Sequence, residues 1–306
     1  MSGQLDSAAK QTGYGALAVS APSADQEECR KVEQMSTELQ GLAHRIRLST
    51  FDIIAKAGGG HFGGSLSVVE ILTAVYFGAM DGDSRNAARP DRDRLILSKG
   101  HAGPALYVVL AELGYFPKEW LADLDKSGGR LPKHADLIVP GVEASSGSLG
   151  QGLSVGIGMA LAARLDHSES RIYVVMGDGE LDEGQVWEAA MAASKFKLDN
   201  LTAIIDMNCV QVDGTCTEIM PTSPLDAKWA AFGWHVVSAD GHKVDDILAA
   251  LDVAKKTEGK PTMVLARTIK GKGVSFMEHQ AKWHSGSVSP EQYETAIADL
   301  EGRGNR

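Results

Sequence analysis

Apolar residues recur at two different periods along this chain, and the alternation between them predicts its architecture. Over residues 27–56, Leu39, Leu42, Ala43, Ile46 and Ile53 keep the three-to-four spacing of an amphipathic helix, which Gly58-Gly59-Gly60 brings to an end. Val68, Ile71, Leu72 and Val75 predict a second helix after Ser67. Short apolar runs at residues 95–97, 171–176, 201–206, 234–238 and 262–266 read as strands. Helical stretches lie between and around them at 102–113, 149–165, 184–195, 224–232 and 244–256, with a short helix at 290–300.

Buried β-branched strands alternating with helices predict an α/β fold, a parallel sheet covered by helices on both faces. Such sheets bind ligands beyond the carboxyl ends of their strands. No fixed-period repeat and no low-complexity linker divides the chain. The expected organisation is one domain over residues 29–286, a flexible or partner-draped arm at 1–28, and a helical extension at 287–306.

Composition narrows the functional classes. The net charge of −10 comes from 40 acidic and 30 basic residues spread along the sequence, so no basic face offers itself to nucleic acid or to an anionic membrane. An anionic ligand must therefore be held locally. Cys29, Cys209 and Cys216 form neither a C-x-x-C pair nor an even framework, which fits a reducing cytoplasm. Residues 1–26 are rich in Ser, Ala, Gly and Gln and lack the apolar stretch of a secretion signal. No run of about 18 apolar residues occurs, so no membrane span is expected.

The segment 171–214 carries the chemistry. It reads as strand, Gly177-Asp178-Gly179, three residues, Glu183-Gly184, helix, and a second strand closed by Asn208. Glycines at a strand-to-helix junction let the backbone approach an anion with its amides pointing outward. Asp178 can hold a cation against that anion, and a parallel sheet would bring Asn208 to the same edge. A carboxylate, an amide oxygen and the Val210 carbonyl form a hard-oxygen set suited to Mg²⁺ or Ca²⁺. G-D-G alone is a common turn. G-D-G-E-L-D-E-G does not supply the dinucleotide turn G-x-G-x-x-G, whereas the whole spacing matches the thiamine diphosphate signature.

With that signature the chain resembles the N-terminal part of transketolases over residues 35–286. Gly60-His61-Phe62-Gly63-Gly64 is similar to the family's G-H-P-G loop, Ser98-Lys99-Gly100-His101-Ala102 to its S-x-G-H-A segment, and the turn from Ser146 to Gly152 to its G-P-L-G-Q-G turn. The resemblance implies thiamine diphosphate and Mg²⁺ as cofactors, with Ca²⁺ or Mn²⁺ as alternatives. It implies Asp178, Asn208 and the Val210 carbonyl as metal ligands, and Gly179 and His101 on the diphosphate. Gly147 and Leu149 would lie beside the cofactor rings. His61 and His284 would stand over the reacting carbon, touching cofactor and substrate, and His134 would meet the donor's hydroxyls. Glu183 would join a proton-linked carboxylate network near the cofactor at the subunit interface, with Glu188 as a further member. Taken singly, each histidine reads as structural, and Glu183 reads as a first-turn residue favoured by the helix dipole.

The chemistry so implied is cleavage of a ketose and transfer of its two-carbon ketol unit to an aldose. Protons must move near neutral pH, which suits imidazole. The sequence departs from the family at Phe62, where proline is usual, and at Lys133-His134-Ala135-Asp136, where G-H-P-E is common; Ser285 separates His284 from the usual glycine. A bulky Phe62 is expected to narrow or reorient its loop, and Lys133 to offer a cation to an acidic substituent. Full transketolases carry two further domains, one supplying the glutamate that activates the cofactor. Only about twenty residues follow Gly286. The expectation is a split enzyme with a partner subunit carrying those domains, as an α2β2 assembly acting on sugar phosphates. The alternatives are a same-cofactor enzyme acting on a sulfosugar or branched-sugar phosphate, a deoxyxylulose phosphate synthase, and a non-catalytic scaffold subunit. Retention of Asp178, Asn208 and the four histidines speaks against the last.

Overall fold

Strand residues pointing alternately to opposite sides of one sheet build two hydrophobic cores. The computed structural model describes residues 24–81 and 89–303. Of the expected arm, residues 1–23 lie outside the described residues, and 24–28 belong to the first helix.

In chain order the elements are α1 (Ala24–Lys56), α2 (Phe62–Ser67), α3 (Val69–Ala74), β1 (Arg94–Leu97), α4 (Gly103–Glu112), α5 (Gln151–Leu165), β2 (Ile172–Gly177) and α6 (Gly184–Lys195). They continue as β3 (Leu201–Met207), α7 (Cys216–Ile219), α8 (Leu225–Ala231), β4 (His235–Asp240), α9 (Val244–Lys256), β5 (Thr262–Arg267) and α10 (Pro290–Leu300). The strands form a five-stranded sheet in the order β1-β2-β3-β5-β4, with every neighbouring pair parallel.

Along β2, Tyr173 and Val175 face one core with α1, α3, α4 and α9, while Ile172, Val174 and Met176 face the other with α5, α6 and α8. Helices thus cover both faces, and the residues of the central strands are buried on either side almost throughout. Fully burying each large aliphatic or aromatic side chain contributes roughly 1.5–3 kcal/mol. At the C-terminal end, Ser289 caps α10 by accepting from Gln292 N at 3.2 Å, and the Gln292 side chain accepts from Ser289 N at 3.0 Å. Ala296 and Leu300 then bury against the first core.

The helix expected after Ser67 begins earlier, at Phe62, and is interrupted at Val68. Gly63 is the reason for that tight entry: a Cβ there would meet the Lys270 side chain at 2.8 Å and the Trp283 carbonyl at 2.9 Å. No helix among the described residues is long and apolar enough to cross a membrane.

Candidate active site

Pairing of Gly177 with Asp206 across β2 and β3 sets Asp178 and Asn208 just beyond the carboxyl ends of adjacent strands. The two residues are joined through the backbone between them: Asp178 accepts from the N–H of Cys209, which follows Asn208, and its other oxygen accepts from Gly179 N at 2.9 Å. Cys209 adopts the left-handed conformation, φ 63°, and this turns the chain so that its N–H faces Asp178. Asn208, Val210, Gly179, His101, Leu149 and His284 join Asp178 around a cavity of about 110 Å³. A larger hollow near Pro90, Arg94 and Ile172, about 250 Å³, lies at the opposite, amino ends of β1 and β2.

Burial, with the charge of Asp206 behind it, pushes the Asp178 carboxyl up to about 6; its two backbone donors and Lys99 work against that shift. A buried carboxylate so disfavoured needs a cation. Asn208 and Val210 line the same cavity; Asn208 Oδ1 accepts from Val210 N at 3.2 Å and the Val210 carbonyl from Lys270, and with Asp178 these hard oxygens are a donor set of the kind a small divalent ion takes. Among the described residues no group of three or more His, Cys, Asp or Glu side chains could hold a metal. The oxygen set depends on an amide and a backbone carbonyl, which such a group does not contain.

Two lysines that sequence reasoning passed over dominate the floor of the cavity. Lys99 is 1% exposed and pairs with Asp206, which also accepts from Ser67 Oγ at 2.6 Å and from Thr268 Oγ1. Burial alone would raise the Asp206 pKa, but Lys99 and the two hydroxyls hold it below the ordinary value. Lys270, 2% exposed, donates to the carbonyls of Val210 and Gln211 at 2.8 Å each and to His284 Nδ1 at 3.1 Å. Burial and the neighbouring Lys99 lower its pKa to about 8. Among the described residues no carboxylate bonds Lys270, so the cavity has a buried cation to offer an anionic ligand. This is the feature that fits a diphosphate. Glu180 is a third such residue: buried, it accepts from Ser98 Oγ, Gly150 N at 2.8 Å and Gly177 N at 3.1 Å, tying three loops together. The lysines and Glu180 lie inside the recognised motifs or shortly after β5; only a search for charges facing apolar neighbours would have singled them out.

Upstream of Lys270, His242 Nε2 accepts from Ile269 N at 2.8 Å, so Nδ1 carries the proton and donates to Glu70 at 3.1 Å. The loop that presents Lys270 is thereby fixed to α3.

The histidines form one cluster. The His61 ring lies 5.4 Å from those of His101, His134 and His284, and His101 lies 5.1 Å from His284. Gly64 makes room for the cluster, since a Cβ there would stand 3.0 Å from His101 Nε2. Burial, followed by His134 and the nearby lysines, lowers the His61 pKa to about 4. Burial and then Lys270 lower that of His284 to about 4, and burial and Lys99 drive His101 well below its ordinary value. All three are neutral at pH 7. His61 Nδ1 is buried without a hydrogen-bond partner, an unsatisfied atom of the kind that functional sites retain.

Gly147, at φ 148°, borders the ring of His134: a Cβ there would lie 3.6 Å from His134 Cδ2. Glu183 is not part of the cavity. It caps α6 with no side-chain hydrogen bond to that helix and is exposed, as is Glu188. Gly150, at φ 82°, accommodates it closely, because a Cβ at 150 would meet Glu183 Cβ at 2.7 Å. Two expectations about the departures change. Phe62 turns into the core, fully buried, rather than towards the site. Lys133 pairs with Asp125 at 2.7 Å, so its charge is already engaged.

A parallel α/β sheet with oxygen donors and a buried cation beyond its strand ends suits an anionic ligand, although the Gly177 and Gly179 amides turn to the Glu180 and Asp178 carboxylates rather than outward as the sequence suggested. The sequence matches the family model "Transketolase, thiamine diphosphate binding domain" over residues 39–298, and the chain belongs to that family. It is 50% identical to the 6-deoxy-6-sulfo-D-fructose transketolase subunit SqwG of Clostridium sp. (strain MSTE9), over 89% of this chain and 100% of that protein. It is 44% identical to an apulose-4-phosphate transketolase subunit of Phocaeicola vulgatus, over 87% of this chain and 94% of that one. Human transketolase is 36% identical over 88% of the chain, which spans 43% of the human protein. Transketolase from Leishmania mexicana superposes with a TM-score of 0.81 at 30% identity, covering 87% of this chain and 41% of that chain. The chain is thus a thiamine-diphosphate-binding transketolase subunit, and its relatives that are named as subunits imply a partner chain.

Proposed function

We propose that this chain is the cofactor-diphosphate half of a split transketolase that transfers a two-carbon ketol unit from an anionic ketose, a sugar phosphate or sulfosugar, to an aldose. The observation that carries the reading is the convergence on one cavity of Asp178, Asn208, Val210 and Lys270, a buried ammonium whose three N–H groups go to the Val210 and Gln211 carbonyls and His284 rather than to a carboxylate. In this reading Asp178, Asn208 and Val210 hold Mg²⁺, for which Ca²⁺ or Mn²⁺ can substitute, while Gly179, His101 and Lys270 hold the diphosphate. Gly147 and Leu149 flank its rings. The bound cofactor supplies a nucleophilic carbon that accepts the ketol unit.

Everything else falls to the side chains. Because Lys270 as an ammonium can only donate, its bond to His284 Nδ1 leaves the His284 proton on Nε2. His284 can then donate to an oxygen of the sugar, and neutral His61 can accept or return a proton. His134 stands where a donor hydroxyl would meet it. Exposed Glu183 and Glu188 fit an interface that a second subunit covers. That subunit supplies the pyrimidine-binding and C-terminal domains in an α2β2 assembly. The domain runs from α1, which takes in residues 24–28 of the expected arm, to α10, which packs on the first core, and the enzyme works in the cytoplasm in sugar phosphate metabolism of the pentose phosphate type. The sulfonated donor is favoured by a specific observation, the 50% identity over the whole length of a relative named for 6-deoxy-6-sulfo-D-fructose.

Asp178→Ala in the complex with its partner tests the reading. Turnover should fall at least 100-fold, with loss of Mg²⁺-dependent cofactor binding; unchanged turnover would leave only a scaffold role.

A further inference from the structure

The residues next to two of the site histidines touch each other beneath the site. Phe62 follows His61 and Trp283 precedes His284. Both are buried, at 0% and 5% exposure, with ring centroids 6.2 Å apart and planes at 85°. Phe62 also lies 5.4 Å from Phe51, and Trp283 lies 5.3 Å from Phe276, so each ring is anchored from behind. On the other side, one residue before His61 and two after His284, Gly60 and Gly286 exchange both backbone hydrogen bonds, at 2.9 and 3.0 Å. Gly59 admits that bridge, since a Cβ there would meet the Gly286 carbonyl at 2.3 Å. Between these two fastenings the His61 and His284 rings stand edge to face, 5.4 Å apart at 87°.

We infer that Phe62 is a positioning residue: by its contact with Trp283 it sets the separation and mutual angle of His61 and His284. The inference rests on the proposal that these histidines handle the sugar's protons. The geometry supports it in three ways. A backbone bridge alone leaves the loops free to hinge about the glycines, which lack side chains to resist rotation. A second contact below the imidazoles removes that freedom, and an edge-to-face aromatic pair has a preferred angle that aliphatic packing lacks. Finally, Gly63, one residue on, accepts from Gly271 N at 3.0 Å, so the segment that holds Phe62 also abuts the Lys270 loop. The proline usual at this position in transketolases has no aromatic ring with which to make the contact.

The test is Phe62→Met, a swap that keeps apolar volume and so the fold while removing the ring. In the complex with the transketolase-like partner chain, with Mg²⁺ and thiamine diphosphate, kcat per cofactor-loaded site should fall roughly 10- to 100-fold, the range expected for misplaced groups. Donor KM and cofactor affinity should stay within about threefold, a bound set well below that fall. Trp283→Phe, which retains an aromatic partner, should recover most of the rate lost in Trp283→Leu. In the isolated chain, the nuclear Overhauser contact between the His61 and His284 ring protons should be present and should weaken in Phe62→Met. Turnover of Phe62→Met within twofold of the parent, or a fall that merely follows loss of folded or cofactor-loaded protein, would overturn the inference. His61→Ala serves as the control. If it lowers turnover and Phe62→Met does not, only the positioning role fails; if it leaves turnover unchanged, the reading of His61 fails and the inference with it.

Discussion

Lys270 and His284 share a hydrogen bond of 3.1 Å between Nζ and Nδ1, and that one contact links the charge on the cavity floor to the proton state of the histidine above it. An ammonium without a carboxylate partner is costly to bury, and its lowered pKa of about 8 records the cost. An anionic ligand would relieve it. Lys270→Met should therefore weaken binding of inorganic pyrophosphate or thiamine diphosphate by 10-fold or more, read by calorimetry. In the parent, pyrophosphate affinity should decline as pH rises through about 8, where Lys270 loses its proton in the ligand-free chain, and Lys270→Met should lack that decline.

Asp178 behaves in the opposite sense. Its carboxyl, raised to about 6 by burial and by Asp206, retains a proton at pH values where an exposed aspartate is ionised. The cation and the proton compete for the same oxygens. Mg²⁺ affinity should hence fall as pH drops below about 6, by close to 10-fold per pH unit for a one-proton exchange. Calorimetry at pH 5.5 in two buffers of different ionisation enthalpy should detect release of about one proton on binding. Equal heats in the two buffers would exclude Asp178 as the titrating ligand.

The Lys99–Asp206 pair lies deeper, under both residues. Each side chain is 1% exposed or less. Removing one partner leaves the other charge buried and unpaired, which costs ~3–5 kcal/mol in comparable pairs. Asp206→Asn should lower the melting temperature markedly, and adding Lys99→Met to it should restore part of the loss. The fold holds the Asp206 pKa below its unfolded value, so this contribution is present above pH 3.8 and lost as pH falls through the folded value.

His61, His101 and His284 predict how the metal-free chain responds to acid. Their folded pKa values lie below the unfolded value of 6.5, to about 4 for His61 and His284. The unfolded chain thus binds more protons between about pH 6.5 and 4, and stability falls as pH drops through that window. His101→Asn should show a smaller difference in melting temperature between pH 7.5 and pH 5 than the parent does.

Much of the architecture was legible before any coordinates. Strands such as residues 172–176 are apolar on both faces, and helices such as Gly184–Lys195 and Val244–Lys256 begin and end where periodicity and charge put them. The helix start at Phe62 was not legible, because Gly63 packs against Lys270 and Trp283, some two hundred residues away in the chain. At the site, Asp178 and Asn208 could be paired from the strand-turn-helix-strand order alone. Lys99, Lys270 and Glu180 could not, since nothing local distinguishes a buried charge from a solvated one; only the folded environment does. The direction of the Phe62 ring was not legible for a related reason: the sequence implies only that a bulky residue narrows or reorients the loop, and it is the helical turn at 62 that sends the ring into the core, against Phe51 and Trp283.

The most direct test of the split-transketolase account is ketol transfer to ribose 5-phosphate, from xylulose 5-phosphate or 6-deoxy-6-sulfo-D-fructose, with Mg²⁺ and thiamine diphosphate. It is run for this chain alone and for the chain mixed with a subunit that carries the pyrimidine-binding and C-terminal domains of a transketolase. The account predicts turnover only in the mixture. Turnover by the chain alone, or none in the mixture with either donor while cofactor binding is intact, would contradict it.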